Sequence, residues 1–424
     1  MSTAKRPRGC RDFGPEEMRI RRGVEKRMRE AIERFGYREI STPTFEHTEL
    51  FVARSGPQVL EQMYTFEDKG GRSLSLRPEL TAPVMRFFAN DLRNEPKPLR
   101  IYYFGNCFRY ERPQKGRFRE FWQMGLEYIG KRTPLANAEV VAAAVQSLNN
   151  AHLRDFPLRV GDVKKLKSIL SNYGLDAEKD RDLMTSIDKK EVQAVSRYLE
   201  RAGVDDPDSL TDLLTDLRST DEIDQALEEL SERTGGEEKE AVSELGKIFK
   251  TVGKTTEEIY LDPSISRGLD YYDGAVFEID ASNLGAEKQI CGGGAYSLSS
   301  VIGKGVEGIG FGLGFDRIVL AMEGQGQSDE TRREISFYLL PMGEKAEREA
   351  ILISSGIRDE GFTCHIGTSG RGFKKSIKYA LSMGCTHLAI VGERELEKGV
   401  ISVKDLETGT QEEIPPEEIG DRLG

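Results

Sequence analysis

No run in this chain reaches the ~18 consecutive apolar residues that a membrane-spanning helix needs, so nothing in it is expected to span a bilayer. The opening residues, MSTAKRPRGCRDFG, are basic but have no apolar core behind them, and they do not read as a signal peptide. Five cysteines, Cys10, Cys107, Cys291, Cys364 and Cys385, are odd in number, widely spaced and form no C-x-x-C pair. A disulfide framework and structural zinc are therefore not expected, and a reducing cytoplasmic setting is. The four histidines, His47, His152, His365 and His387, include no i, i+4 pair, which leaves a zinc site or a nucleophile–histidine dyad without support. A phosphate loop is also missing. Gly125 to Lys131 has its glycine and lysine spacing, but the interior is bulky and Arg132 stands where a Ser or Thr would bind magnesium. The glycines from Gly308 to Gly314 lack the G-x-G-x-x-G register of a dinucleotide fingerprint.

What is present is the composition of a globular protein, 38% hydrophobic and 31% charged over 424 residues. At ~150 residues per domain that length suggests roughly three domains. The net charge of −11 is concentrated. Asp221 to Glu240 holds nine carboxylates against two cations, which leaves −4 for the remainder, so a polyanionic partner is not excluded.

Pro15 after Gly14, with Glu16 and Glu17 following, predicts a helix start, and Gly36 its end. Ile20, Val24, Met28 and Ile32 form its buried stripe. A strand ending at Pro43 follows, and a mixed α/β region continues to about residue 150. From about 163 to 255 the chain is rich in Lys, Glu, Leu, Ser and Asp with helical spacing, predicting a helical insertion with a solvated charged face. Strand character returns in IYLDP, GAVFEID and GIGFGLGF. The polar GQGQSDETRREI reads as a linker to a βαβα unit of about ninety residues.

The stretch from Arg100 to Gly130 is the most informative. RYERPQKGRFR carries five cations and one acid, and Pro113 and Gly116 make it a loop between two strands. Strand parity places Phe121, Gln123, Gly125 and Glu127 on one face, with Gly105, Cys107 and Arg109 matching them across the hairpin. Trp122, Met124, Leu126 and Tyr128 form the opposite, apolar face. The first face offers an aromatic, an amide, a gap and a carboxylate, which together make a ligand-binding surface. In GIGFGLGFDR, Gly308, Gly310, Gly312 and Gly314 share a face, each weakening the strand by roughly 0.5–1 kcal/mol relative to Ala. Compensation comes either from a flat ligand against the backbone or from a helix packed on the glycine strip. Arg317 follows where the strand gives way to IVLAME. Arginines, an aromatic stacking surface and no phosphate loop suggest a nucleotide held by side-chain cations on an antiparallel sheet.

On these residues the sequence resembles the class II aminoacyl-tRNA synthetases. FRYERPQKGRFREFWQ matches the second signature of that class and GIGFGLGFDRIVLAME the third, and the helix and strand ending at Pro43 resemble the first, a dimer-forming signature. SRGLDYYDGAVFE and SLRPELTAPVMR look like the histidine-specific stretches of histidyl-tRNA synthetases. The resemblance implies an α+β catalytic domain over 1–325, with an antiparallel sheet flanked by helices and the helical insertion at 163–255. A C-terminal α/β anticodon-binding domain would follow over 331–424. It implies a homodimer that uses ATP, Mg2+, histidine and tRNA(His), with no membrane partner and no resident metal.

The implied roles follow the motifs. Arg109 would hold the α-phosphate, Glu111 the adenine edge, and Phe121 would stack on adenine, with Arg117 and Arg317 on the outer phosphates. Glu79, Thr81, Gln123 and Glu127 would bind the substrate amino group and neighbouring atoms. Tyr271, Tyr272 and Tyr296 would line the imidazole pocket, and Arg267 would approach the reacting carboxylate and α-phosphate. Arg267 and Arg109 would thus be the catalytic cations. Arg112, Gln114 and Lys115 would meet tRNA at the loop. No protein base for aminoacyl transfer is evident, which leaves the adenylate phosphate for that proton.

In RGFKKSIKYALSMG, Phe373, Ile377 and Leu381 are expected to face a core. Arg371, Lys374, Lys375 and Lys378 then form a cationic patch, read either as a tRNA contact or as a solvated helix face. One departure is Ala295 and Ser297 in CGGGAYSLSS, where family members commonly carry Arg and Asp. The competing function is a histidine-sensing regulatory subunit of an ATP phosphoribosyltransferase. Such paralogues degrade the ATP-binding arginines that this chain retains.

Overall fold

The computed structural model describes residues 5–423 apart from 56, 115, 178, 220–221, 235–238, 254–255, 257, 266–271, 298–305, 328–334, 369 and 371. It divides into two compact units, Met1–Ser328 and Asp329–Gly424. No helix among the described residues is long and apolar enough to cross a membrane.

The first helix, α1 (Pro15–Arg34), begins with Pro15 on Gly14 as its N-cap, where the missing N–H costs nothing. Val24, Met28 and Ile32 are buried and Ile20 is half-buried, while Arg21 and Glu25 are buried beside them. The strand expected up to Pro43 is shorter. Only β1 (Arg38–Glu39) pairs in the main sheet, and beyond Pro43, which has no N–H to donate, β2 (Phe45–His47) belongs to a second sheet. After α2 (Thr48–Ser55) come β3 (Thr65–Glu67) and β4 (Ser73–Leu76), which complete a small sheet of order β2-β4-β3.

Helix α3 (Thr81–Phe87) leads to the predicted hairpin of β5 (Leu99–Phe108) and β6 (Glu120–Ile129), in register from Leu99 opposite Ile129 to Phe108 opposite Glu120. Gly125 therefore lies inside a strand, not in a phosphate loop. Then follow α4 (Pro134–Asn150), β7 (Leu158–Asp162) and six helices: α5 (Val163–Asn172), α6 (Arg181–Asp188), α7 (Val192–Ala202), α8 (Pro207–Thr215), α9 (Ile223–Thr234) and α10 (Lys239–Val252). The unit closes with β8 (Ile259–Leu261), β9 (Tyr272–Asp280), β10 (Gln289–Ser297), β11 (Glu307–Gly314) and α11 (Phe315–Gly324).

The main sheet has the order β1-β5-β6-β11-β10-β9-β7-β8. Its six central strands are mutually antiparallel, and the pairings β1–β5 and β7–β8 at the edges are parallel. The apolar face of β6 behaves as its parity requires, with Met124, Leu126 and Tyr128 buried against Val24 and Met28 of α1 and Val140 and Val141 of α4. The six-helix insertion is not a detached appendage. Leu166 and Ile169 of α5 and Leu245, Ile248 and Phe249 of α10 belong to the same buried cluster as β6, β9 and α4.

In the second unit β12 (Ser336–Pro341), α12 (Glu344–Asp359), β13 (Thr363–Ile366), α13 (Phe373–Ser382), β14 (His387–Val391), α14 (Glu393–Lys398), β15 (Ile401–Asp405), β16 (Gln411–Ile414) and α15 (Ile419–Leu423) build a sheet of order β13-β12-β14-β15-β16. One expectation fails here. Phe373 and Leu381 are 41% and 52% exposed, and the buried positions of α13 are Ser376 and Ala380. Small side chains let the helix approach Tyr338, Leu388 and Cys385 closely, with Ile377 partly buried beside them. At ~100° per residue a seam centred on 376, 377 and 380 leaves 381 at its margin, while 373 points the same way as the seam but is exposed at the first position of the helix.

Candidate active site

A cavity of about 280 Å³ opens on the sheet face that carries Phe121 and Gln123. It is lined by Thr81 from α3, by Arg109, Glu111 and Arg117 from the hairpin loop, and by Phe121 and Gln123 from β6. Tyr272 from β9, Gln289 and Gly292 from β10, Gly312 and Gly314 from β11 and Arg317 from α11 complete the wall. Eight residues expected from the sequence thus meet at one cleft: Thr81, Arg109, Glu111, Arg117, Phe121, Gln123, Tyr272 and Arg317. The register explains part of this, since Cys107 stands opposite Phe121 and Gly105 opposite Gln123.

The cations are held by main-chain carbonyls. Arg109 Nε donates to the Pro78 carbonyl at 2.9 Å, and its guanidinium lies 5.0 Å from the centre of the Phe121 ring. Arg317, in the first turn of α11, donates from Nε to the Gly116 carbonyl at 2.9 Å and from Nη1 to the Gln289 carbonyl at 2.7 Å. The Glu111 carboxylate stands 3.9 Å from Arg109 Nη1 and 3.5 Å from Arg117 Nε. Burial pushes the Cys107 thiol up to about 12 and the Cys291 thiol well above its ordinary value, so neither is a thiolate at neutral pH.

Sequence reasoning missed Phe118, Gln289, Cys291 and Asp316 in the lining. Asp316 is buried and anchors the N-terminal segment. It accepts from Arg11 Nη2 at 2.5 Å and the Trp122 amide at 2.6 Å, and it forms an ion pair with Arg21 Nη1 at 2.8 Å. The Arg11 guanidinium also covers the Phe118 ring at 3.4 Å. The adjacent Asp316 and Arg317 in GFDR were the available signal. That Arg21, on a helix stripe, would pair with Asp316 had none.

Behind the cleft lies a buried layer. Glu127 is 1% exposed; its Oε1 accepts from the Tyr103 hydroxyl at 3.1 Å and its Oε2 from the Tyr296 hydroxyl at 2.5 Å. Tyr103 reaches on to Thr81 Oγ1 at 3.3 Å. This corrects the expected surface. A Cβ on Gly125 would meet the Tyr103 hydroxyl at 2.6 Å, so the supposed gap holds a phenol ring. Of the four glycines, Gly308 leaves room for the Tyr296 ring and Gly310 for the Glu127 carboxylate, where an added Cβ would lie 1.9 Å from Oε2. Only Gly312 and Gly314 face the cleft. Glu79 caps α3, accepting from the amides of Thr81 at 2.7 Å and Ala82 at 2.9 Å.

Around Ala295 the structure supplies a cation from elsewhere. A Cβ on Gly274 would stand 3.4 Å from both the Ala295 Cβ and Arg132 Nη1. Arg132 pairs with Asp273 and, at 3.7 Å, with Glu307. Arg112 and Gln114 are exposed on the hairpin loop, and Lys374, Lys375 and Lys378 are exposed on α13 of the second unit. Arg267, Tyr271, Lys115 and Arg371 lie outside the described residues.

Comparison with known proteins agrees with this geometry. Residues 9–318 match the family model for histidyl-tRNA synthetase, and residues 336–424 match that for an anticodon binding domain. The histidine–tRNA ligase of Archaeoglobus fulgidus is 42% identical, with 98% of each chain covered. That of Methanocaldococcus jannaschii is 41% identical over the same shares. The apo crystal structure of histidyl-tRNA synthetase from S. aureus superposes with a TM-score of 0.71 at 27% identity, covering 100% of both chains. A nucleotide-sized cleft walled by arginines on an antiparallel sheet and likeness to these relatives over the whole length lead to one assignment: the chain belongs to the histidyl-tRNA synthetase family.

Proposed function

We propose that this chain is a histidine–tRNA ligase that joins histidine to ATP as histidyl-adenylate and passes the histidyl group to the 3′ end of tRNA(His). The observation that carries the reading is the convergence of Arg109, Arg117 and Arg317 with Phe121 on one cleft. Histidine carboxylate attacks the α-phosphorus in line and pyrophosphate leaves. That step needs positioning and charge stabilisation more than covalent help from protein. In this reading Arg109, whose guanidinium lies over the Phe121 ring, binds the α-phosphate, and Arg317 and Arg117 bind the outer phosphates. Arg267 supplies the second cation at the reacting carboxylate. Glu127 and Glu79, with Thr81 and Gln123, complement the ammonium, and Tyr272, Tyr271 and Tyr296 enclose the imidazole.

Magnesium belongs to the proposal as a partner of the phosphates. Among the described residues there is no group of three carboxylate, imidazole or thiol side chains that could cage it. As a hard cation it would be bound chiefly by phosphate oxygens and water, while Glu111, within the arginine cluster, would take the adenine edge. When bound, the ion neutralises phosphate charge. A homodimer, a cytoplasmic setting, and tRNA contacts from Arg112, Gln114 and Lys115 and from the α13 cations complete the reading. The regulatory-subunit alternative is disfavoured because the arginines of the nucleotide cleft are kept.

The test is pyrophosphate exchange into ATP with each of the twenty amino acids in turn. Exchange with histidine alone is expected. Absence of histidine-dependent exchange, with histidine-dependent activation of an ATP phosphoribosyltransferase instead, overturns the assignment.

A further inference from the structure

The helical insertion touches the sheet through a group of buried carboxylates and half-buried cations that activation chemistry does not use. Lys190 sits at the turn between α6 and α7 with φ +55°, a left-handed conformation that is uncommon outside glycine. Its Nζ donates to Asp262 Oδ1 at 2.7 Å and also bonds Ser264 Oγ. Asp262 is fully buried just after β8, and its other oxygen accepts from Arg159 Nη1 at 2.9 Å. Burial pushes the Asp262 carboxyl up, but Lys190 and Arg159 outweigh it and hold the group below its usual range.

Arg159 Nη2 bonds Glu278 Oε2 at 2.5 Å, across the register of β7 and β9. The other Glu278 oxygen accepts from Gln289 Nε2 at 2.9 Å. The carbonyl of Gln289 is the one that receives Arg317 Nη1 at 2.7 Å. Lys190, Asp262, Arg159, Glu278, Gln289 and Arg317 therefore form one line from the insertion to the cleft, which passes through Gln289 from its side-chain amide to its main-chain carbonyl. Buried ion pairs contribute little net stability against an apolar replacement. Their use here is geometric: they restrain Gln289 at the start of β10, the residue whose main-chain carbonyl receives the Arg317 guanidinium.

We propose that Lys190 is a positioning residue through which the helical insertion holds Arg317, so that the insertion and the nucleotide site are energetically coupled. The proposal rests on the reading of Arg317 as a phosphate clamp. By reciprocity, whatever steadies the insertion raises ATP affinity by the same factor that ATP raises affinity there.

The test uses the full chain, with ATP and histidine KM from pyrophosphate exchange, ATP affinity from calorimetry, and a thermal melt. Lys190→Ala is expected to weaken ATP binding and raise ATP KM by ~2–30-fold, the range of coupling carried by such networks, with histidine KM within about twofold. Lys190→Arg, which can still bond Asp262, is expected to restore ATP KM. Lys189→Ala, beside it but exposed, is expected to change nothing. Glu278→Gln, outside the cleft lining, is expected to raise ATP KM as well, and the double variant is expected to be no worse than the more damaging single one. Additive effects, or a lowered melting temperature with ATP affinity unchanged, overturn the coupling. If Lys190→Ala does not fold, Glu278→Gln with normal ATP affinity does the same. A wild-type chain without histidine-dependent exchange would refute the ligase reading, and the calorimetric arm would still decide the coupling.

Discussion

Replacing Glu127 separates the proposed role in substrate binding from its role in holding the sheet. The carboxylate is buried, receives the hydroxyls of Tyr103 and Tyr296, and occupies the space that Gly310 leaves open. If it also receives the substrate ammonium, Glu127→Ala removes a charge-assisted hydrogen bond of about 1.5–3 kcal/mol. At 1.4 kcal/mol per tenfold, histidine KM rises ~10–150-fold. The same change leaves two buried phenols short of an acceptor, at about 1–3 kcal/mol each, so the melting temperature falls too. Glu127→Gln isolates the charge. It keeps the volume and one acceptor oxygen for Tyr296, its NH2 donates to the Tyr103 hydroxyl once that proton turns to Thr81 Oγ1, and it replaces a charged bond by a neutral one. Histidine KM is then expected to rise ~5–15-fold, about 1–1.5 kcal/mol, with little change in melting temperature. ATP KM is expected to stay within about twofold in both variants. The assay is steady-state pyrophosphate exchange with each substrate varied, beside a thermal melt. An unchanged histidine KM in Glu127→Gln, or a parallel rise of both KM values that tracks lost stability, would reduce Glu127 to a strand buttress.

Three further outcomes are expected. Gly310→Ala forces a methyl into the Glu127 carboxylate and the Leu126 carbonyl, so it should destabilise by about 1–3 kcal/mol as overpacking does and raise histidine KM; a normal melt and KM would contradict the packing described. Changing Lys374, Lys375 and Lys378 together to Ala should leave pyrophosphate exchange intact, weaken tRNA binding and lower its salt slope by ~0.7–0.9 for each phosphate no longer neutralised; unchanged affinity across a salt series would return the patch to solvated surface. Burial lowers the His387 pKa, only partly offset by Asp405 and Glu412, so the unfolded chain binds the proton more readily than the native one. That stability is complete above about pH 6.5 and is lost as pH falls toward the native value. His387→Gln should therefore flatten the acid limb of the full chain's melting profile, and equal slopes for the two proteins would refute it.

Local chemistry made much of this protein legible in its sequence. Pro15 after Gly14 placed the start of α1, and the alternation in FWQMGLEY set which side of β6 is apolar. The cations between Phe108 and Glu120 marked the loop whose Arg109, Glu111 and Arg117 line the cleft. These readings depend on periodicity and on backbone chemistry within a few residues, which a sequence displays directly. Where that reasoning failed, the deciding atoms came from distant segments. Phe373 and Leu381 repeat as core positions should, yet the small Ser376 and Ala380 set the seam, because close approach of α13 to β12 and β14 favours side chains of small volume. The strip from Gly308 to Gly314 looks uniform along the chain. Its halves differ because Tyr296 and Glu127, brought alongside by β10 and β6, fill one half and leave the other to the cleft. Lys190 reads as one lysine among many in a charged insertion. Only folding sets it against Asp262, seventy-two positions onward, because a buried carboxylate must find a cation and the chain's own spacing does not say which one.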